Sequence, residues 1–157
     1  MDLTEKAKQI INKFFYITIA TVDDKGQPWN TPVYSAFDEE YNFYWISDQS
    51  GQHSKNISDN EKIFIVIYDS TAPEGAGEGV YVLAKAQMLT DKEEIANGLR
   101  FLDGRVGKQK DSQARVLEFM GENPRRVYKA TPEKFWMNAD GDTDGKYIDI
   151  RVEVKLK

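Results

Sequence analysis

Residues 17–57 read ITIATVDDKGQPWNTPVYSAFDEEYNFYWISDQSGQHSKNI, and they contain two apolar β-hairpin arms followed by a polar cluster. The first arm mixes β-branched and polar residues, and residues 23–26 supply the chemistry of a tight turn in which Gly26 takes a positive φ. The polar cluster, residues 49–57, carries small, hydroxylic and basic side chains at the predicted start of a helix. A sheet edge that leads into such a helix start can hold a phosphate-bearing ligand.

The composition restricts the classes of function. A length of 157 residues predicts one domain, residues 1–157. The absence of cysteine excludes disulfides and thiolate chemistry, and His53 as the single histidine excludes multi-histidine metal sites. A net charge of −5 argues against a nucleic-acid partner. Because the amino terminus lacks the features of a signal peptide and no long apolar run occurs, we expect a soluble, cytoplasmic protein.

Helices are predicted where apolar residues recur with helical spacing. The first runs over about three turns from Leu3 to Phe14, with Asp2 and Glu5 as a capping box. A second capping box, residues 90–93, opens a helix with Ile95, Leu99 and Leu102 on one side. We expect a short helix after residue 50 and another over about residues 112–120, ended by Gly121.

Strands are predicted for the β-branched and aromatic segments between these helices. Pro32 places its strand at an edge or a bulge, because proline removes a ladder hydrogen bond. The continuous apolar run of residues 62–68 predicts burial on both faces. The predicted strands are 16–22, 29–37, 43–47, 62–68, 80–88, 126–130, 135–138 and 147–154. They indicate an α+β fold, mainly antiparallel, of the barrel or sandwich kind.

Four segments of the chain form a distinctive combination: ATVDDKGQPWNTPVYSAFD, FYWISDQSGQHSKNI, VYVLAKAQML and YKATPEKFW. Together they resemble the FMN-binding split β-barrel family, the pyridoxamine 5′-phosphate oxidase-like proteins. The resemblance implies a six- to seven-stranded Greek-key split β-barrel with peripheral helices that forms a homodimer and binds FMN between the subunits. It also implies the cofactor-binding residues. These are Thr31, Pro32, Val33 and Tyr34 along the flavin ring, Ile46, Ser47, Gln52, His53, Ser54 and Lys55 around the phosphate, and Trp136 from the partner subunit.

The chain departs from the family pattern at several charged positions. Gln52-His53 replaces the usual Arg-Lys pair, and Thr31 and Ala36 stand where arginine and lysine are often found. Lys55 and a protonated His53 would therefore carry more of the phosphate interaction. The Arg-x-His substrate motif after the late tryptophan is also missing, so oxidation of pyridoxamine phosphate is not expected.

Residues 140–145, DGDTDG, match the first half of a calcium-binding EF-hand loop. Position 12 of such a loop would be Arg151, where a bidentate glutamate is required, and the flanking segments read as strands. We therefore favour an acidic hairpin turn and predict no metal site.

The leading hypothesis is a flavin-dependent oxidoreductase that passes electrons from a reduced nicotinamide to a small acceptor, with no catalytic side chain predicted. A flavin carrier of the same fold is the first alternative, and related barrels that bind heme or the deazaflavin F420 are another. The polar cluster could also be a solvated turn with Ser50 or Ser54 as helix N-cap, residues 32–34 a plain edge strand, and Trp136 a core or interface residue. In that case the protein would be a cofactor-free dimeric interaction module.

Overall fold

The computed structural model describes residues 2–108, 110–143 and 146–157, without the side chains of residues 140, 142, 143 and 146–148. The helices are α1 (Leu3–Lys13), α2 (Gln52–Asp59), α3 (Lys92–Arg105) and α4 (Ser112–Arg115), the last continued by a 3₁₀ turn, Val116–Phe119. The strands are β1 (Tyr16–Val22), β2 (Pro28–Tyr34), β3 (Ala36–Phe37), β4 (Phe43–Asp48), β5 (Lys62–Tyr68), β6 (Gly79–Met88), β7 (Arg125–Thr143) and β8 (Lys146–Val154).

All eight strands join one antiparallel sheet in the order β2-β1-β5-β6-β7-β4-β3, with β8 paired to β7. The sheet curls into a half-barrel, which confirms the predicted α+β split-barrel class. Ile17, Ile19, Ile65 and Val82 point inward and are almost completely buried, because side chains alternate across each strand. A second apolar cluster lies between α3 and the other face of β4, around Tyr44 and Leu99.

The predicted strand 29–37 is two strands in the structure. The Ser35 N–H donates to the Phe15 carbonyl over 2.8 Å, which bends the chain between β2 and β3. After this bend β3 pairs with β4, whereas β2 pairs with β1. Pro32 lies on β2 at the edge of the sheet, as predicted.

The prediction that β5 is buried on both faces is wrong for the single chain. Its residues alternate, with Ile63, Ile65 and Ile67 inside and Phe64 and Tyr68 exposed by 36% and 48%. An unbroken apolar run does not by itself distinguish a fully buried strand from one with an exposed apolar face. The outer face of β5 is therefore apolar and open.

Two helix starts differ from the predicted capping boxes. Asp2 makes no side-chain cap, although α1 begins after it. Asp91, rather than Thr90, caps α3 by accepting from the N–H groups of Glu93 and Glu94 at 3.0 Å. Gly26 and Gly121 have φ values of +82° and +60°, as expected for turn glycines.

Two other predicted elements have different boundaries. The predicted helix 112–120 is one turn of α-helix followed by a 3₁₀ turn. Strands 126–130 and 135–138 form one long strand, β7, because a bulge opposite Leu83 and Ala84 accommodates Pro132 within the ladder.

Candidate functional site

The polar cluster lies where β4 ends and α2 begins. Ser47 follows Trp45 on the inner face of β4, and its Oγ shares a 2.8 Å hydrogen bond with the His53 Nε2. The buried Ser54 hydroxyl donates to the Asp48 carbonyl over 2.7 Å. The structure therefore brings together Ser47, His53 and Ser54, with their side chains engaged within the protein.

The start of α2 has no side-chain cap. Gly51 is the N-cap, so neither Ser50 nor Ser54 takes that position. The Ser50 N–H and hydroxyl bond instead to the Asp48 carboxylate at 2.8 and 2.7 Å. Because N–H groups in a first helical turn have no partner within the helix, those of residues 52–54 are available to an anion.

Gly51 is closely packed within this turn. A Cβ atom at residue 51 would lie 3.3 Å from both the Asp48 carbonyl oxygen and the His53 Cε1. These are tighter contacts than most Cβ atoms make, so a side chain here would push the imidazole away from the turn. Glycine lets the His53 ring lie directly over the start of α2.

Lys55 is exposed and forms no ion pair within the described ranges. Its ammonium is available to a ligand at the start of α2. Two carboxyl groups lie near it in the sequence, that of Asp59 one turn later on α2 and that of Asp48 before the helix. The hydrogen bonds from Ser50 lower the pKa of the Asp48 carboxyl group. The polar cluster thus combines one ammonium and the N–H groups of the helix start with two carboxylates, of which that of Asp48 accepts hydrogen bonds from Ser50.

Burial of the imidazole lowers the pKa of His53 below its ordinary value of 6.5. This shift favours the neutral imidazole, which argues against the expectation that His53 supplies a positive charge. No carboxylate of the described residues lies beside the half-buried ring to stabilise its charged form, so nothing offsets the cost of desolvating that form. The imidazole can contribute a hydrogen bond and a surface, but the charge of the cluster comes from Lys55.

A chain of hydrogen bonds connects α2 to β2. The Gln52 Nε2 donates to the Asn56 Oδ1 over 2.8 Å, and the Asn56 Nδ2 donates to the Thr21 Oγ1 over 2.9 Å. The Thr21 hydroxyl donates to the Trp29 carbonyl at 3.4 Å. Asn56 and Thr21 are nearly completely buried, so this network holds the polar cluster against the start of β2.

Sequence reasoning did not include Asn56 and Thr21 among the site residues. A signal for Thr21 was present, since it continues the inward alternation of Ile17 and Ile19 and is the polar member of a buried row. Asn56 lies one turn after Gln52, at the i+4 spacing that places two side chains together on a helix. Both residues position the predicted site rather than face outward from it.

The predicted ring-binding residues, 31–34, form the outer half of β2. In the described sheet β2 pairs with β1 alone, so main-chain groups along its other side have no ladder partner. The Thr31 Oγ1 accepts a hydrogen bond from the Trp29 Nε1 over 2.8 Å. Pro32 is exposed, Val33 is buried in the barrel, and the Tyr34 ring packs edge-on against Tyr16.

Two predicted site residues point toward the second apolar cluster. Ile46 and Tyr34 are both half-buried and pack against residues around α3. For Ile46 this follows from alternation, because Ser47 and Trp45 occupy the opposite face of β4. The side chain of Ile46 therefore does not reach the polar cluster.

Trp136 lies on the outer face of the sheet, far from β2 of the same chain. Register pairs connect Pro32 with Thr18, Thr18 with Val66, Val66 with Tyr81 and Tyr81 with Trp136. This row crosses four strand spacings, or about 19 Å along the sheet. Within one chain, Pro32 and Trp136 therefore lie on the same face of the sheet but far from each other.

The outer face between these two positions is apolar. Phe64 stacks on Trp136 with ring centroids 6.2 Å apart, and Val66 and Leu83 lie beside them half-buried. A sheet face that meets solvent usually carries polar side chains, whereas this face of β1, β5, β6 and β7 is mainly apolar.

The remaining sequence hypotheses concern metals and membranes. Across residues 2–108, 110–143 and 146–157, no group of three or more His, Asp or Glu residues is close enough to hold a metal ion. β7 and β8 pair up to Thr143 and Lys146, whereas residues 144 and 145 of the acidic loop lie outside the described residues. None of the described helices has the length and apolar character of a membrane span.

A family model described as pyridoxamine 5′-phosphate oxidase matches residues 3–139, which include the sheet from β1 to most of β7. The chain belongs to this family. The match confirms the resemblance that was based on the four segments between residues 17 and 136. A search of curated proteins gives no match.

Solved structures agree on the fold at low sequence identity. A putative 5-nitroimidazole antibiotic resistance protein from Bacteroides thetaiotaomicron has a TM-score of 0.69 and 15% identity, over 85% of this chain and 81% of that one. An FAD-binding protein from Mesorhizobium loti has a TM-score of 0.63 and 15% identity, over 85% and 91% of the two chains. The heme storage protein HutZ from Vibrio cholerae has a TM-score of 0.62 and 20% identity, over 85% and 92%.

Proposed function

We propose that this protein binds FMN and is a flavin-dependent oxidoreductase that passes electrons from a reduced nicotinamide to a small acceptor. The observation that carries the proposal is the uncapped start of α2, with Lys55 beside it, joined by buried hydrogen bonds to an open sheet edge at β2. Family membership makes a flavin the ligand to test first.

The phosphate fits the polar cluster in its charge and its donors. A dianion at the start of α2 would accept hydrogen bonds from the N–H groups of residues 52–54 and would form an ion pair with Lys55. The hydroxyls of Ser47, Ser50 and Ser54 already bond within the protein, so they contribute less than the sequence suggested. With one ammonium and a neutral His53, we expect weaker phosphate binding than in relatives that carry an Arg-Lys pair.

The flavin ring fits the edge of β2. Its polar ring atoms need donors and acceptors in one plane, and the free side of an edge strand offers main-chain groups of this kind. Residues 31–34 would position the ring there, with Pro32 contributing a carbonyl but no N–H. The buried network through Asn56 and Thr21 would keep this edge in register with the phosphate end.

A second copy of the chain would complete the site. The outer row from Pro32 to Trp136 has Val66 of β5 at its midpoint. A two-fold axis through that point would lay β7 of one subunit over β2 of the other, because isologous contacts exchange equivalent positions. Trp136 of each subunit would then cover the ring bound at β2 of its partner.

The flavin would supply the redox chemistry when bound, and the protein would hold, orient and cover it. No side chain in the polar cluster need act as a base. The Arg-x-His substrate motif is absent after Trp136, and residues 140–145 carry aspartates, which would repel a substrate phosphate. We therefore propose an acceptor other than pyridoxamine 5′-phosphate.

An absorption spectrum of the purified protein tests the flavin directly. Bound FMN gives a yellow protein, and added FMN loses fluorescence as it binds. A colourless protein that leaves FMN fluorescence unchanged would contradict the proposal and favour a cofactor-free interaction module. Titration with heme belongs in the same experiment, although the single histidine, His53, already bonds through its Nε2 to Ser47.

Lys55→Ala tests the phosphate end. The variant should weaken FMN binding by about five- to tenfold, because a charge-assisted contact is lost, and should leave riboflavin binding unchanged. Lys92→Ala removes an exposed charge at the start of α3 and serves as the matched control. Equal losses for FMN and riboflavin would refute the assignment of the phosphate to Lys55.

Val66→Lys tests the proposed dimer. Two ammonium groups facing each other near the axis should convert the dimer to a folded monomer and weaken FMN binding. Leu117→Lys is the control, because Leu117 is 70% exposed outside the sheet. Sedimentation that gives a dimer for Val66→Lys, with unchanged FMN affinity, would exclude this interface.

Steady-state kinetics separate an enzyme from a flavin carrier. The oxidoreductase proposal requires that the FMN-loaded protein oxidise a reduced nicotinamide faster than free FMN does with the same acceptor. If the protein does not accelerate this oxidation with any of a panel of quinones, nitro compounds and oxygen, the flavin-carrier alternative replaces the oxidoreductase proposal.

A further inference from the structure

One of several surface cavities lies away from the polar cluster, between the end of α1, β3 and the last turns of α3. Its volume is about 560 Å³. The rings of Phe15, Phe37 and Phe101 and the guanidinium groups of Arg100 and Arg105 line it. Asn12, Ala36 and Gly104 complete the lining, so no carboxylate is part of the wall.

Arg105 is held rigidly at this cavity. Its Nη2 donates to the carbonyls of Ile11 and Phe14 at 2.9 and 3.0 Å, which ties the end of α1 to α3. The guanidinium lies 4.7 Å from the Phe15 ring centroid and 5.0 Å from that of Phe37. Its Nε is buried and has no hydrogen-bond partner in the described part of the chain.

Arg100 approaches the same cavity from one turn earlier on α3. It lies 4.4 Å above the Phe101 ring and donates to the Asn97 Oδ1 over 2.9 Å. Within the described residues neither Arg100 nor Arg105 forms an ion pair with a carboxylate. Two unpaired guanidinium groups at one cavity are notable in a chain whose net charge is −5.

We propose that this cavity binds a small aromatic carboxylate. The exposed guanidinium of Arg100 can pair with the two oxygens of a carboxylate, and Arg105, whose Nη2 is already bonded, adds positive charge beside it. The exposed ring of Phe15 and the edges of Phe37 and Phe101 offer apolar surface to an aromatic ring. A free inorganic anion would leave the apolar part of the wall uncovered, and a neutral aromatic would leave the guanidinium groups unpaired. The cavity volume is in the range of small-molecule sites.

The probe for this site is 2-naphthoate, with 2-naphthamide and inorganic phosphate as comparison ligands. Calorimetric titration of the full chain should give naphthoate binding at least about tenfold tighter than that of either comparison ligand, since each lacks one half of the recognition. Amide shifts in NMR spectra should concentrate at residues 12–15 and 100–105. Equal affinity for naphthamide or phosphate, or shifts confined to other regions, would overturn the proposal.

Variants on α3 test the site without disturbing the contacts of Arg105. Arg100→Gln should weaken naphthoate by at least about threefold, because Arg100 is exposed and its ion pair is partly screened. Lys92→Gln makes the same charge change away from the cavity and should have no effect. A wild-type affinity in Arg100→Gln would refute the charge pairing.

Gly104→Trp tests the shape of the site. A Cβ atom at Gly104 meets no atom within 4 Å, so the helix accommodates a side chain there. The indole should occupy the cavity and abolish naphthoate binding while the circular dichroism spectrum stays unchanged. Retained naphthoate binding in this folded variant would place the ligand elsewhere.

Discussion

Gly98 and Gly104 lie on the same helix, α3, yet replacement by alanine should have opposite effects at the two positions. A Cβ atom at Gly98 would lie 2.9 Å from the Tyr44 Cδ1 and 3.1 Å from the Val127 Cγ1. At Gly104 the same atom meets nothing within 4 Å. The pair therefore separates the intrinsic helix preference for alanine from the cost of overpacking.

Tyr44 has little freedom to move away from a new methyl group. Its ring stacks on Phe101 with centroids 5.9 Å apart and 7° between planes, and its hydroxyl donates to the Asp38 Oδ2 over 2.9 Å. Overpacking costs about 1–3 kcal/mol, whereas alanine gains about 0.5–1 kcal/mol over glycine in a helix. Gly104→Ala, next to the end of α3, should therefore gain up to about 1 kcal/mol in unfolding free energy, and Gly98→Ala should lose up to about 2 kcal/mol.

Urea denaturation followed by circular dichroism measures both variants, at one protein concentration because an oligomer's stability depends on it. Gly98 lies in the interior of α3 and Gly104 next to its end, where the propensity gain is smaller, so the difference between the variants is a lower limit for the cost of the contact with Tyr44 and Val127. If Gly98→Ala proves as stable as Gly104→Ala, then α3 does not pack against β4 as closely as the structure indicates.

Three further predictions concern the network, the histidine and a helix cap. Asn56→Ala breaks one buried and one partly buried hydrogen bond, so it should cost about 2–3 kcal/mol of unfolding free energy and weaken FMN binding. Gln52→Ala breaks only the partly buried one and should cost less than about 1 kcal/mol, and equal costs would contradict the network. Burial holds the pKa of His53 below 6.5, so the unfolded state takes up a proton first as the pH falls, and stability should decrease below about pH 6.5. His53→Gln should flatten this part of the pH–stability curve, and an unchanged curve would assign the effect to another group. Asp91→Ala should cost about 1 kcal/mol by uncapping α3, and thermal melts should show most of the loss restored in Asp91→Asn.

Local sequence patterns predicted the elements whose causes are local. The hairpin of β1 and β2 follows from alternation and from Gly26, whose φ of +82° only glycine adopts without cost. The bend at Ser35 was not predicted, because it depends on a hydrogen bond to Phe15, twenty residues earlier, that no local pattern encodes. The bulge that merges two predicted strands into β7 likewise depends on the partner strand, β6.

The candidate site also contains some features that the sequence predicted and others that it could not predict. Ser47, His53 and Lys55 could be named from the sequence because their residue types suit a phosphate and they resemble a family pattern. The lowered pKa of His53 could not be predicted from the sequence, since it results from partial burial of the ring in the folded chain. Asn56 and Thr21 were missed because they connect α2 to β1 across a sequence separation of 35 residues.

The wrong prediction for β5 supports the proposed dimer. The run KIFIVIY is typical of a strand with two buried faces, yet the single chain buries only the face of Ile63, Ile65 and Ile67. The uncovered residues, Phe64, Val66 and Tyr68, lie around the midpoint of the row that connects Pro32 to Trp136. A second copy placed there would bury the exposed apolar face of β5 and bring each Trp136 to its partner's β2. One arrangement would thus explain both the apolar pattern of β5 and the distance between the two halves of the predicted flavin site.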